Sequence, residues 1–400
     1  MAFQEFSAAD YLRIDIANNY GLDKENWDYR IKWFDENEAN LDNLITQAEE
    51  PALFFAGVKA WNQSKEGKPI GYGISLDATS SGIQLLSLLS GCRTSASICN
   101  VVDTGQREDA YTAVYAAMCE RIGEKAKIER KDAKAALMTA MYSSKAVPAE
   151  VFGEGELLET FYTVVHEKLP GAWALNEAFL ALWQKQNLSH DWVLPDNFHV
   201  HIKVMGTVQE TIHFMNRPYR INIAKNMPSE EGRSLGANVC HSLDGMVVRE
   251  IIRRCNYNVN QKENVLSVLV QSNKAISVIR DKDKMLNTMW NHYINSGFLS
   301  ARILDYIDQY NIDNVDRGII HKMIDTFPEK PFKVLTIHDC FRVHPNYGND
   351  LRKQYNQILY EIGKSNMLQY IVEQITGRQI NVVKKDNFAD EILESNYALS

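Results

Sequence analysis

The sequence predicts an α+β fold that is mostly helical, with a small antiparallel sheet. Three observations carry this. Apolar residues recur at helical spacing over most of the 400 residues. The stretch 192–223 alternates instead, as in Phe198-His199-Val200-His201-Ile202-Lys203-Val204. Short apolar runs at 74–77, 334–337 and 341–343 are bounded by turn residues, while no strand–glycine–helix alternation recurs as a doubly wound sheet would need.

Few breakers interrupt the start of the chain, so 30–47 and 51–61 read as helices. Gly71-Tyr72-Gly73 marks a turn before the strand 74–77, and a helix follows over 83–89. Further helices are expected near 107–119, 131–144, 156–168 and 172–186. After the alternating stretch, helix returns at 243–255, and a polar helical stretch covers 256–323. Two short strands then flank His338-Asp339-Cys340, and one helix over 351–376 precedes a polar tail. No internal repeat, low-complexity tract or linker interrupts this order.

Hydrophobic residues make up 45% of the chain, enough for a sizeable core in one large domain or two intertwined ones. The six cysteines (Cys92, Cys99, Cys119, Cys240, Cys255 and Cys340) include no C-x-x-C pair, which argues for reduced thiols over disulfides or a zinc site. No run approaches the roughly eighteen apolar residues of a membrane helix. The start, MAFQEFSAAD, lacks signal-peptide character, so a soluble intracellular protein with no membrane contact is expected. A net charge of −8 weighs mildly against nucleic acid, because neutralising phosphate needs Lys and Arg. The charge is uneven, however: nine acids face three bases over 23–50, and six bases face three acids over 121–134. A local basic patch can serve a phosphate while the rest stays acidic.

Three constellations carry chemistry. In Ile74-Ser75-Leu76-Asp77-Ala78-Thr79-Ser80-Ser81-Gly82-Ile83-Gln84 a strand ends in a carboxylate, followed by small residues and a helix start. Taken alone, this is a helix cap. In Arg130-x3-Lys134-x7-Tyr142 the side chains fall on one face of a single helix. Two cations one turn apart can clamp a polyphosphate, and a tyrosine can stack on a base or sugar; the plain alternative is a solvated basic stripe. In Val334–Val343 an acid, Asp339, sits at a tight turn between strands, where turn chemistry alone would also place it. Together and in this order, two acids, a cationic clamp and an aromatic are the parts that nucleotidyl transfer needs.

These segments resemble the single-subunit DNA-dependent RNA polymerases of phages and mitochondria. Asp77-x3-Ser81-Gly82-Ile83-Gln84 looks like motif A of that family, Arg130-x3-Lys134-x7-Tyr142 like motif B and His338-Asp339 like motif C. Asn238-x2-His241-Ser242-x-Asp244-Gly245 is similar to the segment whose histidine helps recognise the ribose. Tyr11-Leu12-Arg13-Ile14 resembles the segment where a basic residue approaches the incoming triphosphate, and Tyr111 falls where the family has a tyrosine behind the nucleotide. Ile392-Leu393-Glu394-Ser395-Asn396-Tyr397-Ala398 looks like the family's C-terminal foot. The resemblance runs in order from about residue 10 to 400.

The resemblance implies a right-hand polymerase, with palm over 1–105 and 241–400, fingers over 106–240, and a helical insertion at 256–323. It implies catalytic roles for Asp77, Asp339, Lys134 and Tyr142, with two Mg²⁺ ions held by Asp77, the Ala78 main chain and Asp339. It assigns Arg130, Lys134, Tyr142, Arg13, His241, Gly82 and Tyr111 to the nucleotide. His338 and Gln84 would support the structure instead. The implied partners are a DNA template, nascent RNA and ribonucleoside triphosphates. Family-A DNA polymerases share the Arg-Lys-Tyr helix and the acids, but typically carry a glutamate at the place of Gly82 and His-Asp-Glu where this chain has His338-Asp339-Cys340. A missing side chain where a 2′-hydroxyl must fit favours RNA synthesis. An inactive nucleic-acid-binding scaffold is the rival of another class; retention of both acids speaks against it.

Departures from the pattern are Ser143, where glycine usually follows the tyrosine, and Cys340, where serine is frequent. The chain begins shortly before motif A, so the N-terminal domain, the thumb and the D/T-x-x-G-R motif are expected to be absent; Ser229-Glu230-Glu231-Gly232-Arg233 is a near match in the wrong place. A second subunit supplying both parts is therefore expected, with a single-stranded-DNA-binding or recruitment factor as a further partner. This arrangement resembles the heterodimeric middle-gene polymerases of Enquatrovirus-type phages, which would place the chain in the cytoplasm of an infected bacterium.

Overall fold

The computed structural model describes residues 2–123, 127–271, 274 and 278–400. Four helices, α1 (Ala8–Ala17), α2 (Trp27–Asn37), α3 (Leu41–Leu44) and α4 (Pro51–Lys65), lead to strand β1 (Ile74–Asp77). Next come α5 (Ser81–Ser90), α6 (Arg93–Ile98), α7 (Ala110–Ile122), α8 (Arg130–Ala140), α9 (Ala146–Phe152), α10 (Glu156–Lys168) and α11 (Pro170–Ala181). Strands β2 (Ser189–Val193), β3 (His199–Lys203), β4 (Met205–Phe214) and β5 (Arg217–Asn226) separate these from α12 (Ser234–Cys255). Then follow α13 (Val259–Leu269), α14 (Asp281–Ser296), α15 (Arg317–Asp325), β6 (Leu335–Ile337), β7 (Cys340–Val343), α16 (Gly348–Lys364) and α17 (Met367–Thr376).

Local chemistry starts and stops these helices. Ser7 and Asp10 form a reciprocal capping box on α1, and Pro51 opens α4 where its missing N–H costs nothing. Gly91, Gly297 and Gly377 close α5, α14 and α17 in the left-handed conformation that glycine takes without strain. Helix α5 is buried on every side from Ile83 to Leu89 and packs against α11, α12 and α16, so it is the axis of the main core. A second core lies apart from it: Val265, Leu286, Ile303, Ile312, Ile320 and Ile324 join helices of the 256–323 stretch around their own apolar centre.

Three small antiparallel sheets are present among the described residues: β1-β7-β6, β2-β3 and β4-β5. In the first, Ile74 faces Val343, Leu76 faces Phe341 and Asp77 faces Cys340. The third is a two-stranded ribbon that turns at Met215-Asn216, both at positive φ, as the tight primed hairpin turns require.

The mixed, mainly helical architecture agrees with the expected class, and the strand 74–77 and the helix 156–168 have the expected bounds. Several details differ. The single helix expected over 351–376 is two, because Ser365 adopts an extended ψ of 167° and turns the chain. Helix α12 begins at Ser234, nine residues before the expected 243, since Gly236 lets the helix approach Phe179 closely: a Cβ there would sit 3.2 Å from that ring. Helices α1 and α6 have no counterpart in the sequence pattern. Of the basic stretch 121–134, residues 124–126 lie outside the described residues, as do 272, 273 and 275–277 of the helical stretch 256–323.

Candidate active site

The two acids meet at the sheet. The β6–β7 hairpin turns on His338-Asp339, and the first of these is held at φ +56°, an uncommon conformation for a residue with a side chain. Because Asp77 is paired with Cys340, the Asp339 turn lies beside the end of β1, and the Ala78 N–H donates to the Asp339 carbonyl at 3.2 Å. The other edge of β1 is covered by the end of the chain: Asp77 N–H donates to the Ser400 carbonyl, and Ser400 N–H to the Asp77 carbonyl. Behind the strand, Gln84 donates from Nε2 to the Cys99 and Ala398 carbonyls and to Thr79 Oγ1, while its Oε1 accepts the Tyr355 hydroxyl. Gln84 therefore supports the structure, as expected. On the α1 side, buried Asp15 accepts the Ser75 N–H at 2.8 Å and the Tyr72 hydroxyl at 2.6 Å, fixing the depth of β1.

This placement makes the site electrostatically unfavourable for bare carboxylates. Desolvation first, then the charge of Asp339, then that of Asp23, push the Asp77 carboxyl up to about 6, although the residue reaches solvent. A third acid, Asp244 of α12, is pushed up to about 6 by desolvation and by Asp339. Crowded carboxylates of this kind fit a hard divalent cation with oxygen ligands, as Mg²⁺ is. Asp77 and Asp339 are side chains that could hold it; among the described residues no three His, Cys, Asp or Glu side chains form a ready metal cluster. Main-chain oxygen, as at Ala78, would have to complete the donor set.

Beside the acids lies an aromatic wall. Tyr142 sits directly over Gly82: a Cβ on Gly82 would come 2.5 Å from the Tyr142 hydroxyl. The place over Gly82, expected to admit a ribose, is thus filled by the phenol hydroxyl. The Tyr142 ring packs against that of His241 at 4.8 Å between centroids and 53° between planes. Tyr142 is not on the helix that carries Arg130 and Lys134, as spacing implied. Helix α8 ends at Ala140, and Tyr142 lies in the turn beyond, its N–H donating to the Thr139 carbonyl. The reason is Ser143, which stands at φ +66° and is held there by a hydrogen bond from its hydroxyl to Asn176. That left-handed backbone, which glycine adopts at less cost, is the physical content of the departure noted at this position.

The cations divide. Lys134 is exposed, makes no ion pair among the described residues and lies over the Tyr111 ring at 5.5 Å. Arg130 is ion-paired with Asp109, the N-cap of α7, and donates to Thr112 Oγ1. Burial and the charges of Asp109 and Asp339 push the Tyr111 phenol up to about 12, so the ring stays neutral next to the acids. Arg13 is not brought into this group: its partners are Asp10, Asp35 and the Trp61 ring.

Three contributors escaped the sequence reading. Asp15, through its carboxylate, and Ser400, through its main chain, both bond to main-chain groups of β1, which leave no mark in the pattern. Asp244 was visible only as one letter of the Asn238–Gly245 segment, although its spacing of three from His241 puts both on one side of a helix.

Residues 5–163 match the DNA-dependent RNA polymerase family. More particularly, the chain is 23% identical to a probable DNA-directed RNA polymerase of Gelasinospora sp. (strain G114) over 416 aligned positions, covering 93% of this chain and 44% of that protein. A probable DNA-directed RNA polymerase of Podospora anserina is 34% identical over 100 positions, covering 22% of this chain and 10% of that protein. The chain thus spans less than half the length of these relatives.

Proposed function

We propose that this chain is the catalytic part of a DNA-dependent RNA polymerase of the single-subunit type, adding ribonucleotides to an RNA 3′ end on a DNA template. The observation that carries the reading is the juxtaposition of Asp77, at the end of β1, with Asp339, in the turn of the neighbouring β6–β7 hairpin, with Tyr142 and His241 beside them. In this reading β1, β6 and β7 belong to the palm, α7 and α8 to the fingers, and the 256–323 stretch is an insertion on the palm.

Asp77 and Asp339 would hold two Mg²⁺ ions, which supply charge stabilisation to the attacking 3′-oxygen and the departing pyrophosphate. The chain's own groups do the rest. Lys134, exposed beside the Tyr111 ring, meets the triphosphate; Arg130 can join it only by loosening its pair with Asp109. Tyr142 and His241 face the sugar, and over Gly82 the chain presents a phenol rather than an acid. The reading includes a second subunit, as in heterodimeric phage polymerases acting in an infected bacterium. The surplus of acids over bases, 51 against 43, favours a basic partner completing the nucleic-acid channel.

An RNA-primed extension assay with Mg²⁺, comparing ribo- and deoxyribonucleotides for the chain alone and for the complex co-purified from its native cells, tests this. Ribonucleotide addition, strongest in the complex, is expected. A preference for deoxyribonucleotides would instead identify a DNA polymerase.

A further inference from the structure

Helices α7 and α8 pack together and meet in two rungs. In one, Lys134 lies over the Tyr111 ring. In the other, one turn back along α8, Arg130 pairs with Asp109 and donates from Nε to Thr112 Oγ1 at 2.7 Å. The two partners of this second rung are held very differently. Asp109 caps α7: its Oδ1 accepts the Tyr111 and Thr112 N–H groups at 2.9 and 3.1 Å, and its Oδ2 accepts the Thr112 hydroxyl at 3.0 Å. The main chain just before it is clamped as well. The side-chain amide of buried Asn100 bonds both the N–H and the carbonyl of Glu108, at 2.7 and 2.8 Å. Arg130, by contrast, is the first residue of α8, and the N-cap Glu129 makes no side-chain cap bond. The acid is fixed, and the cation is a long side chain at a helix end. With side chains 16% and 31% exposed, the pair is screened by solvent less than a surface pair is.

We propose that Asp109 selects for phosphate-chain length: it holds Arg130 in reserve, and only a ligand whose phosphates reach from Lys134 to Arg130 takes the guanidinium from it. This rests on the polymerase reading, in which Lys134 meets the triphosphate. Asp109 itself touches no substrate; it acts through Arg130, as a competitor of the phosphates. A single phosphate on Lys134 gains nothing from Arg130, which stands one helical turn, about 5.4 Å, further along α8. A polyphosphate extends along the helix and offers Arg130 several charged oxygens in exchange for one carboxylate. Removing the charge of Asp109 should therefore tighten the binding of long phosphate chains alone. A residue that merely capped α7 would, when altered, weaken the site for every ligand.

The test is single-nucleotide extension by the full chain, in complex with its co-purified partner. It measures kcat and KM for an rNTP, and inhibition by inorganic tripolyphosphate and by orthophosphate. Asp109→Asn keeps an oxygen to cap α7 but loses the charge. It should lower the KM for the rNTP and the Ki of tripolyphosphate roughly five- to ten-fold, the scale of one charged hydrogen bond, and leave the Ki of orthophosphate unchanged. The gain falls on KM rather than kcat, because Arg130 sits on the phosphates in the bound ground state and in the transition state alike. In an Arg130→Gln background the same substitution should change nothing, since the two residues act as one unit. A KM that stays or rises in Asp109→Asn, equal shifts for tripolyphosphate and orthophosphate, or a gain that persists without Arg130 would overturn the proposal. Should circular dichroism show that Asp109→Asn does not fold, Asp109→Ser, which caps through its hydroxyl, decides, and an unchanged KM there overturns it. A wild-type complex that adds no ribonucleotide removes the polymerase reading and this inference together; wild-type addition with unaltered constants in the variants removes the inference alone.

Discussion

Asp77 and Ser400 exchange both of their main-chain hydrogen bonds, at 3.2 and 2.9 Å. The strand that carries one candidate metal ligand is therefore held by β7 on one edge and by the last residues of the chain on the other. Removing Ala398, Leu399 and Ser400 would strip the Asp77 N–H, the Thr79 N–H and Gln84 Nε2 of acceptors. At about 1 kcal/mol per bond, stability should fall by about 2–4 kcal/mol. Primer extension per folded molecule should fall more steeply than stability, because the position of Asp77 is disturbed. Urea unfolding and extension assays on the truncated chain check both expectations.

Substitution of Asp77→Asn or Asp339→Asn should reduce extension by roughly three orders of magnitude while leaving template binding within a few-fold of wild type. Filter binding or anisotropy with a primed template, run beside the extension assay, separates the two. Synthesis surviving at near wild-type rate in Asp339→Asn would remove that residue from the metal site.

The raised Asp77 and Asp244 carboxyls make the pH dependence a directional prediction. Both groups sit at about 6 in the folded chain, against an ordinary value of 3.8. Between those values the folded state binds more protons than the unfolded, so stability falls as pH rises from about 4 through 6. Without divalent cation, the chain should lose stability across this window, and Asp77→Asn should flatten the slope. Mg²⁺ should stabilise the chain above pH 6 and lose that effect below it, since the carboxylates must be deprotonated to bind. Thermal melts across pH, with Mg²⁺ and with EDTA, give the readout.

Much of this centre was legible as letters, and much less as geometry. Strand 74–77 could be bounded from its apolar run and its flanking turn, and Asp339 from its place in a hairpin. What the pattern could not contain is that Arg130 is engaged by Asp109, the cap of a different helix, or that Arg13 points to Asp10 and Asp35. Such pairings depend on which helices pack together, a property of the whole chain. Tyr142 was placed one turn too regularly for a related reason: helical spacing assumes that the helix continues, and Ser143 ends it with a backbone conformation that serine rarely advertises.

Gly82→Ala should be costly out of proportion to its single methyl group. The added Cβ would lie 2.5 Å from the Tyr142 hydroxyl, so the ring must move and its packing on His241 must change. Tyr142 is only half-buried and can swing outward, so the melting temperature should scarcely shift. Ribonucleotide kcat/KM should fall by about 10- to 100-fold, the equivalent of about 1–3 kcal/mol. Steady-state kinetics beside a melting curve distinguish this from general unfolding.

A buried ionic network offers the opposite case, stability without chemistry. Asp196 accepts from Arg249 and Arg253, Glu250 from Arg253, Arg254 and Ser300, and Arg254 also pairs with Glu361. Asp196, Glu250 and Arg254 side chains are fully buried. Arg254→Ala takes the buried guanidinium from Glu361 and leaves Glu250 with Arg253 as its remaining cation, and should cost about 3–5 kcal/mol. Denaturant titration should show this, with the remaining folded fraction still extending primer.

The separate apolar centre around Leu286, Ile303 and Ile320 means that the chain need not melt as one body. A cluster with its own interior is a cooperative unit in its own right, able to open while the rest stays closed. It joins the main body at several places: Leu299, Ser300 and Ala301 meet Arg254 and Glu250, Arg302 donates to the Asp196 carbonyl, His292 bonds to Asn197 and Tyr370, and Asn366 N–H donates to the Ser296 carbonyl. Amide exchange should therefore fall into two protection classes divided near Asn256 and Phe327. The free-energy gap between the classes would measure how strongly these contacts make two folding units behave as one.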